Sequence, residues 1–317
     1  MSRKKIAVIG AGNVGATAAQ IAASKDLGDV VLLDIVQGLA EGKALDMSEW
    51  GGVDAFSGAV RGTRDWNDTA GSDIVIITSG LARKPGMSRD DLRAMNTKIV
   101  QSVSAEVARF SPKAIVIVVS DPLDVMVHVA GRVTGFPRNR VMGMAGVLDS
   151  ARFAFFVSEV LGVHVGDIQG VLMGGHGDDM VPLPRYTSVA GIPLTELMDK
   201  ATIDRLIDRA RKGGIEIVNL LGFSAYYAPA AGAVKMAEAI LKDSRSIMSC
   251  CAWCDGPYGV GGAFVGVPVV LGSNGVEKVV ELRLNDDERK AFAESVGHVR
   301  ELVVKVDGLM DAAAKPS

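Results

Sequence analysis

The chain has 317 residues, of which 48% are hydrophobic and 22% are charged, and its formal net charge is −3. This size suits one large or two medium domains with a sizeable core. The 34 basic and 37 acidic residues nearly cancel, so no global basic field would attract nucleic acid. No segment approaches the roughly 20 unbroken apolar residues of a membrane helix, and glycines interrupt the N-terminal apolar run, unlike a secretory signal. We therefore expect a cytoplasmic protein that binds neither nucleic acid nor membrane.

The first half of the chain alternates short apolar runs with longer helix-like segments. Strands are predicted at residues 6–10, 30–33, 74–78, 114–119 and 140–143, and helices at 14–24, 42–48, 90–110 and 123–134. Each predicted strand is nearly continuously apolar, as expected for a parallel strand buried on both faces. This alternation predicts a doubly wound, Rossmann-type parallel α/β sheet.

The pattern changes near Ala145. Helices are predicted at residues 148–161, 203–221 and 230–242 and a short strand at 171–173, whereas residues 249–284 alternate like an antiparallel meander. Asn285 is the predicted N-cap of a closing helix, with Glu288 three residues on. We therefore predict two domains, a doubly wound domain at 1–145 and an α+β domain with antiparallel strands at 146–317.

A glycine-rich turn follows the first predicted strand. The segment "GAGNVG" has G-x-G-x-x-G spacing and contains Gly10, Gly12, Asn13, Val14 and Gly15. One glycine permits a tight turn, one lets the backbone approach a pyrophosphate, and one lets the helix pack closely on the strand. The helix N-terminus offers N–H groups and the positive end of its dipole to that anion. Such turns are common, so this motif alone does not decide the function.

Asp34 ends the second predicted strand, 19 residues beyond Gly15. An acid at this place hydrogen-bonds the adenosine ribose of a dinucleotide, and its charge repels a 2′-phosphate, which favours NAD over NADP. Taken alone, Asp34 could equally be a strand-end turn residue. Together with the glycine turn, it predicts NAD binding.

His176 lies in "MGGHGDD", directly after a predicted strand. The glycines on both sides leave the imidazole accessible to a ligand, as acid/base catalysis near neutral pH requires. A turn that happens to contain a histidine is the alternative. For His128, His164 and His298 the structural interpretation is favoured.

Asp149 and Arg152 lie at i and i+3 of a predicted helix and therefore point the same way. Most such pairs are surface ion pairs. This helix is otherwise apolar, however, and a carboxylate and a guanidinium in such surroundings need partners.

Two further clusters are notable. Arg83, Lys84 and Arg89 surround a Pro-Gly pair in "ARKPGMSR", and three cations on one loop suggest an anion opposite them. The three cysteines all lie in "SCCAWCDG", at positions 250, 251 and 254. A redox pair or half a zinc site is the alternative there, but the absence of a second cysteine pair favours ordinary packed thiols and no metal.

Taken in order, the motifs GAGNVG, strand-end Asp34, ARKPGMSR, DPLD, GVLDSARF and GGHGD resemble the NAD-dependent lactate/malate dehydrogenases. The resemblance extends from residue 5 to 292 and is greatest to the bacterial, lactate-dehydrogenase-like branch. It implies a dinucleotide-binding first domain, a substrate-binding and catalytic second domain, and reversible hydride transfer between NAD and a 2-hydroxy acid. It also implies a homodimer or homotetramer.

The resemblance assigns roles to the motif residues. It makes His176 the acid/base, Asp149 the residue that orients it, and Arg89 the group that polarises the reacting carbonyl. It makes Arg152 the bidentate partner of the substrate's C1 carboxylate. The family has glutamine for lactate and arginine for malate six residues before the loop arginine, so Arg83 implies the dicarboxylate pair malate and oxaloacetate, of the tricarboxylic acid cycle.

The implied binding residues form two sets. Substrate binding is assigned to Arg83, Arg89, Arg152, Asp121 and Ala225. Cofactor binding is assigned to Gly10, Gly12, Asn13, Val14, Gly15, Asp34, Asn96 and Asp121.

The sequence departs from the family at two places. Asp121 replaces the usual asparagine, and an ionised carboxylate only accepts hydrogen bonds, so we expect weaker oxaloacetate binding. The stretch before Ala225 is one residue shorter than usual. Two alternatives stay open: a dehydrogenase of lactate or another 2-hydroxy acid, and a catalytically impaired NAD(H)-binding regulatory protein.

Overall fold

The computed structural model describes residues 3–81 and 88–313, with the side chains of Arg89 and Ala313 excepted. Its first half alternates strands and helices. In chain order these are β1 (Lys5–Ile9), α1 (Asn13–Ser24), β2 (Asp29–Leu33), α2 (Leu39–Asp54), β3 (Val60–Thr63), β4 (Ile74–Ile77), α3 (Arg89–Phe110), β5 (Ile115–Val118), α4 (Leu123–Thr134) and β6 (Val141–Gly143).

These six strands are parallel and lie in the order β3-β2-β1-β4-β5-β6. This is the doubly wound order of dinucleotide-binding sheets, so the predicted fold class is confirmed. Successive side chains enter different cores: Ile74 and Ile76 pack in one hydrophobic cluster, and Val75 and Ile77 in the other. Burial on both faces explains the nearly unbroken apolar runs of the interior strands; β3, at the edge of the sheet, is the exception.

The second half supplies the remaining elements. They are α5 (Gly146–Leu161), β7 (Ile168–Gln169), β8 (Leu172–Gly174), β9 (Met180–Pro182), β10 (Ser188–Val189), β11 (Ile192–Pro193), α6 (Leu194–Leu197), α7 (Lys200–Leu221), α8 (Tyr227–Leu241), β12 (Ser246–Cys254), β13 (Ala263–Gly272), β14 (Gly275–Val279) and α9 (Asp286–Ala313).

The two halves share one sheet. Strand β12 pairs antiparallel with β6 through Cys251 and Gly143, and β13, β14, β8 and β9 extend the sheet to eleven strands in the described part of the chain. A Cβ at Gly143 would overlap Val127 and lie 3.2 Å from Cys251 Cβ, so this junction needs glycine. Strands β7, β10 and β11 form a separate small sheet.

Most predicted elements are present, with shifted ends. Helix α2 extends beyond the predicted 42–48 at both ends, and Gly51 and Gly52 lie inside it. Strand β3, half-exposed at the sheet edge, was not predicted. The closing helix has its predicted N-cap: the Asn285 side chain accepts the Glu288 N–H, and the Glu288 carboxylate accepts the Asn285 N–H, both at 2.9 Å.

None of the helices within residues 3–81 and 88–313 is both long and apolar enough to cross a membrane.

Candidate active site

The glycine turn connects β1 to α1 at the carboxyl edge of the parallel strands. Gly10 has φ +107°, and a Cβ there would lie 2.8 Å from Thr78 Oγ1. A Cβ at Gly15 would overlap the carbonyl oxygen of Gly10, so this residue permits close helix–strand packing. A Cβ at Gly12 would meet nothing within 4 Å. The turn is therefore tight on its protein side and open where a pyrophosphate would approach, next to the first turn of α1. In that turn Asn13 is exposed and Val14 packs partly against the core, so their contacts with the cofactor stay predictions.

Asp34 lies at the end of β2, beside this turn. Its Oδ2 accepts the Ala11 N–H at 2.6 Å and its Oδ1 accepts the Val36 N–H at 2.9 Å. These bonds hold the carboxylate against the middle of the turn. The arrangement has the place and charge that a ribose-binding acid needs, and it fits NAD.

His176 and Asp149 form the predicted pair. His176 follows β8, and its Nδ1 lies 2.9 Å from Asp149 Oδ2 of helix α5. The Asp149 side chain is 3% exposed and that of His176 is 23% exposed. The buried carboxylate therefore fixes one ring nitrogen, and the other nitrogen remains for a ligand.

The surroundings favour the protonated imidazole. Burial lowers the pKa of His176, but the charge of Asp149 and its hydrogen bond, with the charges of Asp121 and Asp124, outweigh burial and raise the pKa from 6.5 to about 9. In the unliganded protein at neutral pH, His176 is consequently an imidazolium that can donate a proton.

Arg152 is the second member of the helix pair. Its Nη1 lies 3.6 Å from Asp149 Oδ1, and its side chain is 15% exposed. A Cβ at Gly213 of α7 would lie 3.3 Å from the Arg152 side chain, so that glycine gives the arginine room. Burial lowers the pKa of Arg152, and the charges of Asp149 and Asp121 oppose this. The buried Nε has no hydrogen-bond partner among the described residues, which leaves donors for an incoming carboxylate.

Asp121 and Asn96 lie at the adjoining sheet edge. Asp121 is exposed, between β5 and α4, and its charge contributes to the raised pKa of His176. Asn96 is buried in α3: its amide donates to the Asp121 carbonyl at 2.7 Å and accepts from the Leu81 N–H at 2.8 Å. Asn96 therefore holds the backbone of two site loops, and its direct contact with the cofactor stays a prediction.

Some of the predicted site residues lie wholly or partly outside the described part of the chain. Arg83 and Lys84 lie outside the described residues, as does the Pro-Gly pair beside them. Arg89 begins helix α3, and its side chain is likewise outside the described part. Ala225 lies half-buried in the loop between α7 and α8, and its contact with substrate stays a prediction.

The other histidines and the cysteines have structural surroundings. His128 pairs with Asp307 at 2.9 Å, and His298 pairs with Asp179 at 2.8 Å. His164 accepts the N–H of the residue two positions on. The three cysteines are buried, and burial raises the pKa of Cys250 to about 12, which is typical of packed thiols and not of reactive ones.

Two residues near His176 were not identified from the sequence. Asp124 accepts the His176 backbone N–H at 2.8 Å, and Ser295 of α9 accepts the Gly175 N–H at 2.8 Å. Asp124 belonged to the recognised DPLD segment, so its charge was visible; its contact with His176, 52 positions away, was not.

Comparison with known proteins identifies the family of the chain. Residues 4–143 match the family described as lactate/malate dehydrogenase, NAD binding domain, and residues 146–307 match its alpha/beta C-terminal domain. A malate dehydrogenase of Rhodopirellula baltica is 55% identical, over 98% of this chain and 99% of that protein.

Solved structures are also similar. Malate dehydrogenase from Salinibacter ruber superposes with a TM-score of 0.94 at 51% identity, covering 98% of this chain and 99% of the other. Lactate dehydrogenase from Cryptosporidium parvum, complexed with lactic acid and nicotinamide adenine dinucleotide, gives 0.94 at 42% identity, with coverage of 97% and 99%. The predicted family and its NAD cofactor are confirmed: the chain belongs to the lactate/malate dehydrogenase family.

Proposed function

We propose that this chain is an NAD-dependent malate dehydrogenase that interconverts malate and oxaloacetate, a reaction of the tricarboxylic acid cycle. The observation that carries the proposal is the His176–Asp149 pair, with Arg152 beside it, at the sheet edge that also holds the glycine turn. Relatives named malate dehydrogenase at more than half identity support the same substrate.

NAD supplies the hydride acceptor when bound, and NADH supplies the hydride in the reverse direction. The residues that would hold it are those of the glycine turn, whose Gly12 leaves open space, and Asp34. Their backbone N–H groups and the dipole of α1 suit a pyrophosphate, and the strand-end carboxylate suits ribose hydroxyls.

His176 moves the proton. In malate oxidation its neutral imidazole takes the proton of the C2 hydroxyl as hydride leaves C2. In oxaloacetate reduction the imidazolium returns a proton to the carbonyl oxygen. Asp149 keeps Nδ1 occupied, so the proton is exchanged at Nε2, and its charge stabilises the imidazolium.

Arg152 and Arg89 bind and polarise the substrate. The planar guanidinium of Arg152 matches a carboxylate bidentately in a way that lysine does not. Arg89 is assigned to the reacting carbonyl, where a fixed cation would stabilise the growing oxyanion.

Arg83 is assigned to the second carboxylate. Pyruvate presents a methyl group there, so closing the site over it would bury an unpaired guanidinium, which costs several kcal/mol. Oxaloacetate neutralises that charge. Because a lactate dehydrogenase is also similar to this chain, Arg83 is the residue that distinguishes a malate dehydrogenase from a lactate dehydrogenase in this proposal.

The test is NADH oxidation with oxaloacetate and with pyruvate, on the wild-type protein, Arg83→Gln and Lys84→Gln. The wild type should prefer oxaloacetate strongly, and Arg83→Gln should lower kcat/KM for oxaloacetate by about 10²-fold or more. Lys84→Gln removes the same charge from the same loop and should keep the preference. A preference that survives in Arg83→Gln would refute the assignment. Binding of NADH without turnover would favour the regulatory alternative.

The same proposal includes a homodimer or homotetramer. Two helices carry exposed apolar side chains that could contact a second chain: Leu45 and Val53 on α2, and Phe155 and Val160 on α5. Contiguous exposed apolar patches mark interaction surfaces, and we propose that these side chains contribute to one. Light scattering should give a mass of two or four chains, and a monomer at micromolar concentration would contradict this part.

Two further parts of the proposal concern organisation. We place the domain boundary after residue 145, supported by the separate family matches on either side of it. We also propose a cytoplasmic location, which cell fractionation would test.

A further inference from the structure

Asp124 is a buried carboxylate to which the proposed reaction assigns no role. It lies in the first turn of α4 and is 7% exposed. Its Oδ2 accepts the backbone N–H of His176 at 2.8 Å. Its Oδ1 is buried and has no nitrogen or oxygen partner in residues 3–81 and 88–313.

The loop before the histidine is pressed against this carboxylate. A Cβ at Gly175 would lie 3.5 Å from Asp124 Oδ2, 3.0 Å from Val299 and 3.1 Å from the Asp179 Cβ. The N–H of Gly175 is held by the neutral hydroxyl of Ser295, and the next N–H is held by Asp124. Two adjacent backbone groups are thus fixed by one uncharged and one acidic side chain.

A neutral oxygen can also accept the His176 N–H, as the Ser295 hydroxyl accepts the N–H of Gly175. Burying a carboxylate is unfavourable, and burial raises the pKa of Asp124. The hydrogen bond and the charge of His176, and a hydrogen bond from the Cys251 thiol, oppose this rise without cancelling it. Something else must therefore favour an acid at this position.

The charged groups around Asp124 show what favours an acid at this position. The titratable groups facing Asp124 are His176, the thiol of Cys251 in β12, and Asp149 in α5. Of these, His176 alone gains a positive charge during the reaction. The charge of Asp121, in the loop just before α4, also acts on the imidazole. Three acids therefore act on one ring: Asp149 from α5, and Asp121 and Asp124 from the DPLD segment.

We propose that Asp124 is a positioning residue for His176: it fixes the histidine backbone through its N–H, and its negative charge favours the imidazolium. This rests on the proposed function of His176 as the acid/base. The charge acts through the protein interior, where screening by water is weak. Asp149 fixes the ring, and Asp124 fixes the chain that carries the ring.

The test removes the charge and keeps an acceptor oxygen, with Asp124→Asn and, as a second neutral variant, Asp124→Ser. Ser295→Ala is the matched control, because it removes a neutral hydrogen bond from the neighbouring residue of the same loop. Protonation of His176 is followed by NMR of histidine ¹³Cε1 without substrate, with the signal assigned through His176→Asn.

Both neutral variants should lower the pKa of His176 by roughly half a unit or more, since a nearby charge of opposite sign commonly contributes that much. The high-pH limb of kcat/KM for oxaloacetate reduction should move down equally, and Ser295→Ala should leave both midpoints in place. A His176 titration unchanged in whichever neutral variant folds would overturn the proposal.

The two proposals fail differently. If the wild type does not turn over oxaloacetate, the proposed function fails, while the substrate-free titration still reads the effect of Asp124. If turnover is normal and the titration does not respond, the inference about Asp124 alone fails.

Discussion

Asp149 contributes most to raising the pKa of His176, and Asp149→Asn tests this contribution directly. The substitution keeps the size of the side chain but removes the charge 2.9 Å from Nδ1. The pKa of His176 lies at about 9, against an ordinary value of 6.5. This difference corresponds to about 3 kcal/mol in favour of the imidazolium. Burial lowers the pKa of His176, and without the charge of Asp149 only Asp121 and Asp124 oppose that effect. The pKa of His176 should therefore fall toward or below its ordinary value.

The assay is the pH dependence of kcat/KM for oxaloacetate reduction, which reports groups of the free enzyme form. Reduction needs the imidazolium, so wild-type activity should be retained below pH 9 and lost as the pH rises through about 9. In Asp149→Asn the same loss should occur near or below pH 6.5. At pH 8 the protonated fraction alone falls roughly thirtyfold, and loss of ring orientation should bring the total to about 10³-fold or more.

The control for this experiment is Asp179→Asn. Asp179 lies three residues from His176 but pairs with His298 at 2.8 Å, so its removal should leave the high-pH limb in place. If Asp149→Asn loses activity but keeps its limb near pH 9, the reasoning is refuted, because the proton would then be held by Asp121 and Asp124 without Asp149.

Two further predictions separate close alternatives. Gly15→Ala should lower the free energy of unfolding by about 2 kcal/mol or more, because its Cβ would overlap the Gly10 carbonyl oxygen, whereas Gly12→Ala meets nothing within 4 Å and should keep the wild-type Tm. Titration with NADH should nevertheless show weaker binding to Gly12→Ala, and wild-type affinity there would contradict a close approach of the pyrophosphate. Asp121→Asn removes a carboxylate near a dianionic substrate and supplies a donor, so KM for oxaloacetate should fall several-fold; an unchanged KM and kcat would show that Asp121 does not face the substrate.

Much of the fold could be predicted because its signals are local. Parallel strands buried on both faces must be continuously apolar, and the capping residues Asn285 and Glu288 lie three positions apart. The segment at β3 lacked such a signal, since "VRGT" is polar and half-exposed at the edge of the sheet. Helix α2 was predicted too short at both ends. It continues through Gly51 and Gly52 despite the low helix propensity of glycine, and a Cβ at Gly52 would meet nothing, so no close packing requires glycine there.

The types of residue in the candidate site could be predicted from the sequence, whereas most contacts between them could not. Glycines around His176 and an ion pair in an apolar helix are visible along the chain, but the 2.9 Å contact joins residues 27 positions apart. Asp124 shows the limit most clearly. An acid in the first turn of a helix is ordinarily explained by the helix dipole, and only the folded chain shows that its carboxylate accepts the His176 N–H.

The three acids around His176 also bear on the direction of the reaction. With its pKa at about 9, the imidazole is protonated in the unliganded protein at neutral pH, which is the form that the proposed mechanism of oxaloacetate reduction needs. Malate oxidation needs the neutral form, so every acid that stabilises the imidazolium also makes the starting state of oxidation rarer. The same charges stabilise the product state of proton transfer from malate. Their net effect on oxidation therefore depends on pH: it is unfavourable where His176 must first lose a proton, and favourable above about pH 9, where the ring is already neutral.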